Sequence, residues 1–318
     1  FERYKLNLKK VNLYQYNTSL KRMKHHFGDF LDRTDNYWTI VPNVERYSYS
    51  ANEEIKNKEE VRVLTISKND NNWNQVFNCL NIEEITLHES SKEQVQSISK
   101  LTQIKRLRIT HLRTKDIEFI GKLINLEEIV LEYVSGFSDL SPLRNLKKLK
   151  SLHFENLRRV SNFDELKGIE SLKYLHIDGT LDWNQPIENF EFLEGLQNLE
   201  VFSLGFIINK TEFPAFLPIL KLNKLKRVII GRATLNTKEY AFLETALPNV
   251  ECGTKGGNWE LCWEYNENFE FLGKRAGKVK CTNPKANEKC EEFIKNYEGI
   301  KKESDEIIKT TVANNGYN

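Results

Sequence analysis

Apolar residues recur through the middle of the chain in one figure: two positions three apart, then a third two residues on. The figure reads Val61/Leu64/Ile66, Ile82/Ile85/Leu87, Ile104/Leu107/Ile109, Leu126/Ile129/Leu131, Leu149/Leu152/Phe154, Leu172/Leu175/Ile177, Leu199/Phe202/Leu204 and Leu225/Val228/Ile230, and a decayed ninth copy begins at Val250. Successive copies start 21, 22, 22, 23, 23, 27, 26 and 25 residues apart. The alternation in the second half of each copy predicts a short strand, apolar residues inward and the intervening ones toward solvent. Return segments carry a second apolar stripe, as in Ile117/Ile120/Leu123/Leu126 and Phe163/Leu166/Ile169/Leu172, which predicts helical or irregular connections. One copy cannot cover both stripes, whereas stacked copies bury them against one another. A period in this range therefore predicts a solenoid with its strands parallel along one concave side. At about 4.8 Å per strand, that face is on the order of 40 Å long.

On these copies, over residues 60–256, the chain resembles the leucine-rich-repeat proteins. The stretch Phe137-Ser138-Asp139-Leu140-Ser141-Pro142-Leu143-Arg144-Asn145-Leu146 resembles, in a single copy, the short repeats of internalin-type proteins. The resemblance implies an α/β solenoid, a horseshoe of eight to nine repeats capped at both ends, and a role in protein–protein interaction. One departure stands out. The family places Asn or Cys three residues beyond the last strand leucine, to bond the turn backbone. Here that position reads Asn69, Ser90, Leu112, Val134, Leu157, Thr180, Ile207 and Ala233, so the turn backbone must find other partners.

Three regions follow: an N-terminal cap over 1–60, the solenoid over 61–256 and a C-terminal strand-and-helix cap over 257–318. Solenoid ends expose core unless covered. Before the first copy, Asn43-Val44-Glu45-Arg46-Tyr47-Ser48-Tyr49 reads as one more strand. After the last, Trp259, Leu261, Trp263 and Tyr265 alternate as a strand does, as do Phe269 and Phe271. Asn283-Pro284 then reads as an N-cap with Pro at the first helical position. Ala286, Cys290, Phe293, Ile294 and Tyr297 recur at helical spacing, with fraying from about residue 310. The turn Gly273-Lys274-Arg275-Ala276-Gly277-Lys278 is one residue short of a phosphate-binding P-loop, and Val279 stands where Ser or Thr should be. It reads as a solvated basic turn, with an anion contact as the minor alternative.

Composition adds limits. Charged residues are 29% of the 318 but the formal net charge is only +2, which gives no global attraction to nucleic acid or membrane. No apolar run approaches the roughly 18 residues of a membrane span. Residues 1–30 hold no signal-peptide core, and because the chain starts at Phe1 a removed leader stays open. The expectation is a soluble protein, an intracellular compartment favoured and secretion not excluded. Cys79 reads as a small core residue. Cys252, Cys262, Cys281 and Cys290 match no zinc spacing and read either as reduced thiols or as one or two disulfides in the cap.

The repeat register sorts the solvent-facing strand residues into columns. Four of the six histidines, His88, His111, His153 and His176, fall on the concave face, while His25 and His26 do not. Glu132, Glu155 and Asp178 form a run of acids on successive repeats, and Tyr133, Tyr174 and Phe206 flank them. Aromatic residues are enriched at binding hot spots. The expected site is thus the middle of this face: Arg108, Glu132, Tyr133, His153, Glu155, Tyr174, His176, Asp178 and Phe206 receiving a protein with a basic patch. The alternative from another class is a metal- or ligand-dependent domain using His153, Glu155, His176 and Asp178, whose donor types suit it. The plain reading is solvated strand residues, with the true contact at a cap or on the convex side. Nucleic-acid binding through Lys274, Arg275, Lys278 and Lys280 is the weakest reading. No nucleophile elbow, acid–base motif or cofactor loop appears, so the expectation is a non-enzymatic monomer without cofactor or catalytic residue.

Overall fold

The structure is a computed structural model and describes residues 23–24, 30–34, 37–41, 47–254 and 257–315. Eight strands carry the eight clear copies: β5 (Val63–Ser67), β6 (Glu84–His88), β7 (Arg106–Thr110), β8 (Glu128–Glu132), β9 (Ser151–Glu155), β10 (Tyr174–Asp178), β12 (Val201–Gly205) and β14 (Arg227–Ile230). Before them lie β1 (Met23–Lys24), β2 (Phe30–Thr34), β3 (Tyr37–Val41) and β4 (Tyr47–Ser50); beside them are β11 (Gln185–Ile187) and β13 (Ile207–Asn209). A 12-stranded sheet runs β1-β4-β5-β6-β7-β8-β9-β10-β12-β14, then β15 (Glu251–Thr254) and β16 (Gly257–Asn258). From β4 to β15 every pairing is parallel. The fold is a leucine-rich-repeat solenoid. Of the strand expected at 43–49, Tyr47–Ser50 pairs with β5, while 43–46, His25, His26 and most of 1–60 lie outside the described residues.

The register equals the sequence columns: Leu107 faces Ile129, Ile129 faces Leu152, and Leu152 faces Leu175. These residues, with the return-segment stripe, form one continuous core. The returns are mostly single three-ten turns, joined by short helices α1 (Lys92–Ser97) and α2 (Glu118–Gly121) and the longer α3 (Thr237–Ala246). The amide of each copy's first apolar residue bonds the carbonyl three back, as Leu126 to Leu123 and Leu149 to Leu146. Val250 repeats that corner with Leu247, but Cys252 rather than Gly253 lies opposite Val228. The ninth copy is one residue short before its strand, which is why the pattern decays there.

The missing Asn ladder has two replacements. Three buried glutamines, Gln75, Gln94 and Gln185, bridge the turns: Gln185 accepts from the Leu157 amide at 3.0 Å and donates to the Val160 carbonyl at 2.6 Å. Gln75 does the same between Ile55 and Glu53, and Gln94 donates to Ser67 while closing a capping box with Ser91. At the opposite corner Asn125 and Asn198 each donate to a carbonyl of the preceding copy, and Asn81 to the Glu59 carbonyl just ahead of the first.

The residues that lengthen the copies after Leu172 form a second, two-stranded parallel sheet, β11 with β13, beside a turn from Thr180 to Trp183. Phe154, Phe163, Phe190, Phe192, Phe202 and Phe216 meet there in one aromatic cluster, with 4.3 Å between the rings of Phe190 and Phe216.

Beyond the main sheet, β17 (Cys262–Tyr265), β18 (Asn268–Phe271) and β19 (Lys278–Lys280) form an antiparallel sheet, and α4 (Ala286–Asn315) packs on α3. Several expectations shift. Trp259 lies outside β17, buried, and its indole donates to the Ile230 carbonyl. Asn283 makes an Asx turn onto Lys285, and the helix starts two residues after Pro284. It then runs to Asn315 rather than fraying from 310, and Ile294 is exposed rather than in the packed stripe. The 273–278 stretch joins two antiparallel strands and opens no helix, and its Gly273 and Lys274 amides bond Arg232 and Leu235. A phosphate loop needs those amides and a following helix. No helix among the described residues is long and apolar enough to cross a membrane.

Candidate partner-binding face

The concave columns sort into a floor and a rim. On the floor, Arg106 lies 3.7 Å from Glu84 and 3.1 Å from Glu128, both carboxylates being almost covered. Arg108 reaches diagonally to the next strand and grips Glu132 with two bonds, 2.7 Å from Nε and 2.9 Å from Nη2. Both side chains are buried, so Glu132 and Arg108 are a structural pair rather than an exposed acid and an exposed base. Fork-to-carboxylate geometry is the strongest form of such a pair. Tyr174 also differs from expectation. It is 2% exposed and packs with Val130 and Val201, Ile229 covering one side, so it is floor and not an anchor. Burial first, then Asp178, pushes its hydroxyl well above the ordinary tyrosine range.

The next two repeats carry stacked histidines. His153 and His176 rings lie 4.5 Å apart and nearly parallel, and Nδ1 of His176 shares a 2.8 Å hydrogen bond with Oγ of Ser203. Each faces the acid two residues on: His153 Nε2 is 3.9 Å from Glu155, and His176 Nε2 is 3.4 Å from Asp178. Asp178 leans over Gly205, where an added Cβ would come within 2.5 Å of both carboxylate oxygens. His153 is itself buried, while Glu155, His176 and Asp178 are half-buried.

The rim is the residue just after each strand. Glu89, His111, Tyr133, Asn156 and Phe206 hold φ between 38° and 54° there. That left-handed backbone ends the strand; Asn and His tolerate it best, and it is disfavoured for Glu89, Tyr133 and Phe206. The amides of Glu89, His111, Tyr133 and Asn156 continue the ladder to the next strand, as Tyr133 to the Glu155 carbonyl at 2.9 Å. Tyr133 is 41% and Phe206 45% exposed, and Tyr133 stacks on His111 at 4.7 Å. Burial first, then the carboxylates of Glu155, Glu132 and Asp182, raise its hydroxyl above the ordinary range.

No protein-family model and no curated protein matches the chain. Solved structures do. An internalin (inlF) from Listeria monocytogenes aligns over 63% of this chain and 54% of its own, at 18% identity and TM-score 0.44. The chain thus spans about half the length of that internalin. Internalin C2 (inlC2) from the same organism aligns over 54% of this chain and 72% of its own, at 21% identity and TM-score 0.38. A TLR13–ssRNA13 complex aligns over 55% and 30%, at 17% identity and TM-score 0.38.

Of the nine residues expected at the site, Tyr133 and Phe206 are exposed, and Glu155, His176 and Asp178 are half-buried. Arg108, Glu132, His153 and Tyr174 are buried. Two features escape the columns. Asp182 acts on Tyr133 from the inserted turn, and Leu181 beside it is among the most exposed large apolar residues described. The extra length of that copy is the only sequence signal for either. At the far end of the rim Arg232 lies 5.4 Å over the Trp263 ring, which stacks on Tyr265.

Proposed function

We propose that the chain is a non-enzymatic interaction protein that holds a protein partner on the concave face. The supporting observation is Tyr133 and Phe206, exposed and held in left-handed backbone at the rim beside Glu155 and Asp178. Half-exposed aromatic rings supply apolar area with a polar edge, the composition of hot spots. Carboxylates next to them favour Lys or Arg on the partner, through charge and through cation–π contact with Tyr133. The floor pairs Arg106 and Arg108 with acids, so the acidic character offered to a partner concentrates at Glu155, Asp178 and Asp182. The donors lie on an open strand surface, a setting suited to recognition rather than to the water exclusion that catalysis exploits. Residues 1–60 and 257–318 are proposed as the end covers of the stack, Trp259 and the α3–α4 packing supporting the second.

A pull-down from the native source, run in parallel with wild type and a Tyr133→Ala/Asp178→Asn variant, tests this. The expected outcome is a basic protein retained by wild type and lost from the variant, with unchanged circular dichroism and melting temperature. Equal retention by a folded variant would remove the face from consideration.

A further inference from the structure

Glu132, His153 and Glu155 place one donor atom each within 4.8 Å of one another on the concave floor. We propose that these three side chains bind a divalent transition-metal ion of the zinc class. Backbone register sets the triangle: Glu132 and Glu155 are direct partners on β8 and β9, and His153 lies two residues before Glu155 on the same face. Two neighbours fix the ligands. Arg108 grips both oxygens of Glu132, and the His153 ring lies 4.5 Å from His176 in near-parallel stacking. Hydrogen bonds of the Arg108 kind hold carboxylate ligands in place for metal binding, and the stacked ring limits the swing of the imidazole.

The His153–Glu155 edge of the triangle needs little movement, and any edge at the 4.8 Å limit needs somewhat more than an ångström of closure. His153 Nε2 and Glu155 Oε2 are 3.9 Å apart. Two donors at about 2.1 Å from a tetrahedral zinc lie about 3.4 Å apart, so roughly half an ångström of side-chain closure forms the pair. Charge points the same way. Glu132, Glu155 and Asp178 are carboxylates on three successive strands, Arg108 grips the first of them, and a divalent ion offsets the charge of the others. One imidazole with two carboxylates selects zinc-class ions over magnesium, which prefers oxygen and water. Glu155 is the most exposed of the three, so the remaining coordination position opens into the trough. Metal uptake here needs no partner, so it stands or falls apart from the recognition role of the face.

Zinc chloride titrated into chelator-stripped protein, with Cys262 and Cys290 changed to Ser to remove thiol ligands, is the test. Calorimetry should give one zinc per chain. His153→Gln and Glu155→Gln should each weaken binding by more than about tenfold, the loss that outer contacts alone can cause. His88→Gln, a concave-face histidine two strands away from Glu132, should bind as wild type, magnesium should not compete, and zinc should raise the melting temperature except in the His153→Gln and Glu155→Gln proteins. Absence of zinc uptake in the starting protein, or equal uptake by the folded His153→Gln and Glu155→Gln variants, overturns the assignment.

Discussion

Glu239 is a fully buried carboxylate whose two oxygens accept the Ala215 amide at 3.1 and 3.2 Å. Burial outweighs that bond and pushes its pKa up to about 7. A carboxylic acid with a raised folded pKa binds more protons folded than unfolded, so stability is highest below the unfolded value and falls as pH rises to about 7. The loss is on the order of 3 kcal/mol. Glu239→Gln keeps an acceptor for Ala215 without the charge. Thermal melts between pH 5 and 8 should show the variant losing most of the wild-type slope and exceeding wild type at pH 8. Parallel slopes would place the titration elsewhere. Cys252 and Cys262, pushed up to about 12 chiefly by burial, stay as thiols at neutral pH.

At the scale of the repeat, the buried glutamines take over what the lost Asn ladder does elsewhere. Gln185→Leu leaves the Leu157 amide and Val160 carbonyl without their side-chain partner and should cost about 1–3 kcal/mol, measured by urea unfolding. The strand ladder was readable from sequence because period-two burial and a near-constant repeat admit one stacking, and every core pair from Leu64 to Val228 lands as aligned. The glutamines were not. Gln75, Gln94 and Gln185 sit at different offsets within their copies, so no column reveals them. The site shows the same division. Columns place His153 beside His176 and Glu132 beside Glu155, but a column does not say which way a side chain leans. Arg108 bends diagonally onto Glu132, and Tyr174 sinks between Val130 and Val201. Those two contacts decide which residues are floor.

Across the whole molecule, stability in a stack is a sum of repeat and neighbour-interface contributions, so a defect matters most where it joins several copies. The phenylalanine cluster is such a place. Phe190 touches Phe192, Phe202 and Phe216, binding the copy that carries the inserted turn to the one that follows it. Phe190→Ala should cost about 3–5 kcal/mol. Hydrogen exchange should then show protection falling across β10, β12 and β14 while β5 to β7 keep theirs. Uniform loss along the solenoid would mean that the stack unfolds as one unit.

The left-handed rim reaches beyond geometry. Four side chains along one edge, all of the rim but Asn156, sit where a backbone without Cβ is more comfortable by roughly 1–2 kcal/mol each, and glycine or asparagine would relax that strain. Selection for durability alone would erode Tyr133 and Phe206 toward those residues. Whatever keeps aromatic rings there acts against thermostability, so the edge is where lineage divergence and laboratory stabilisation should pull in opposite directions.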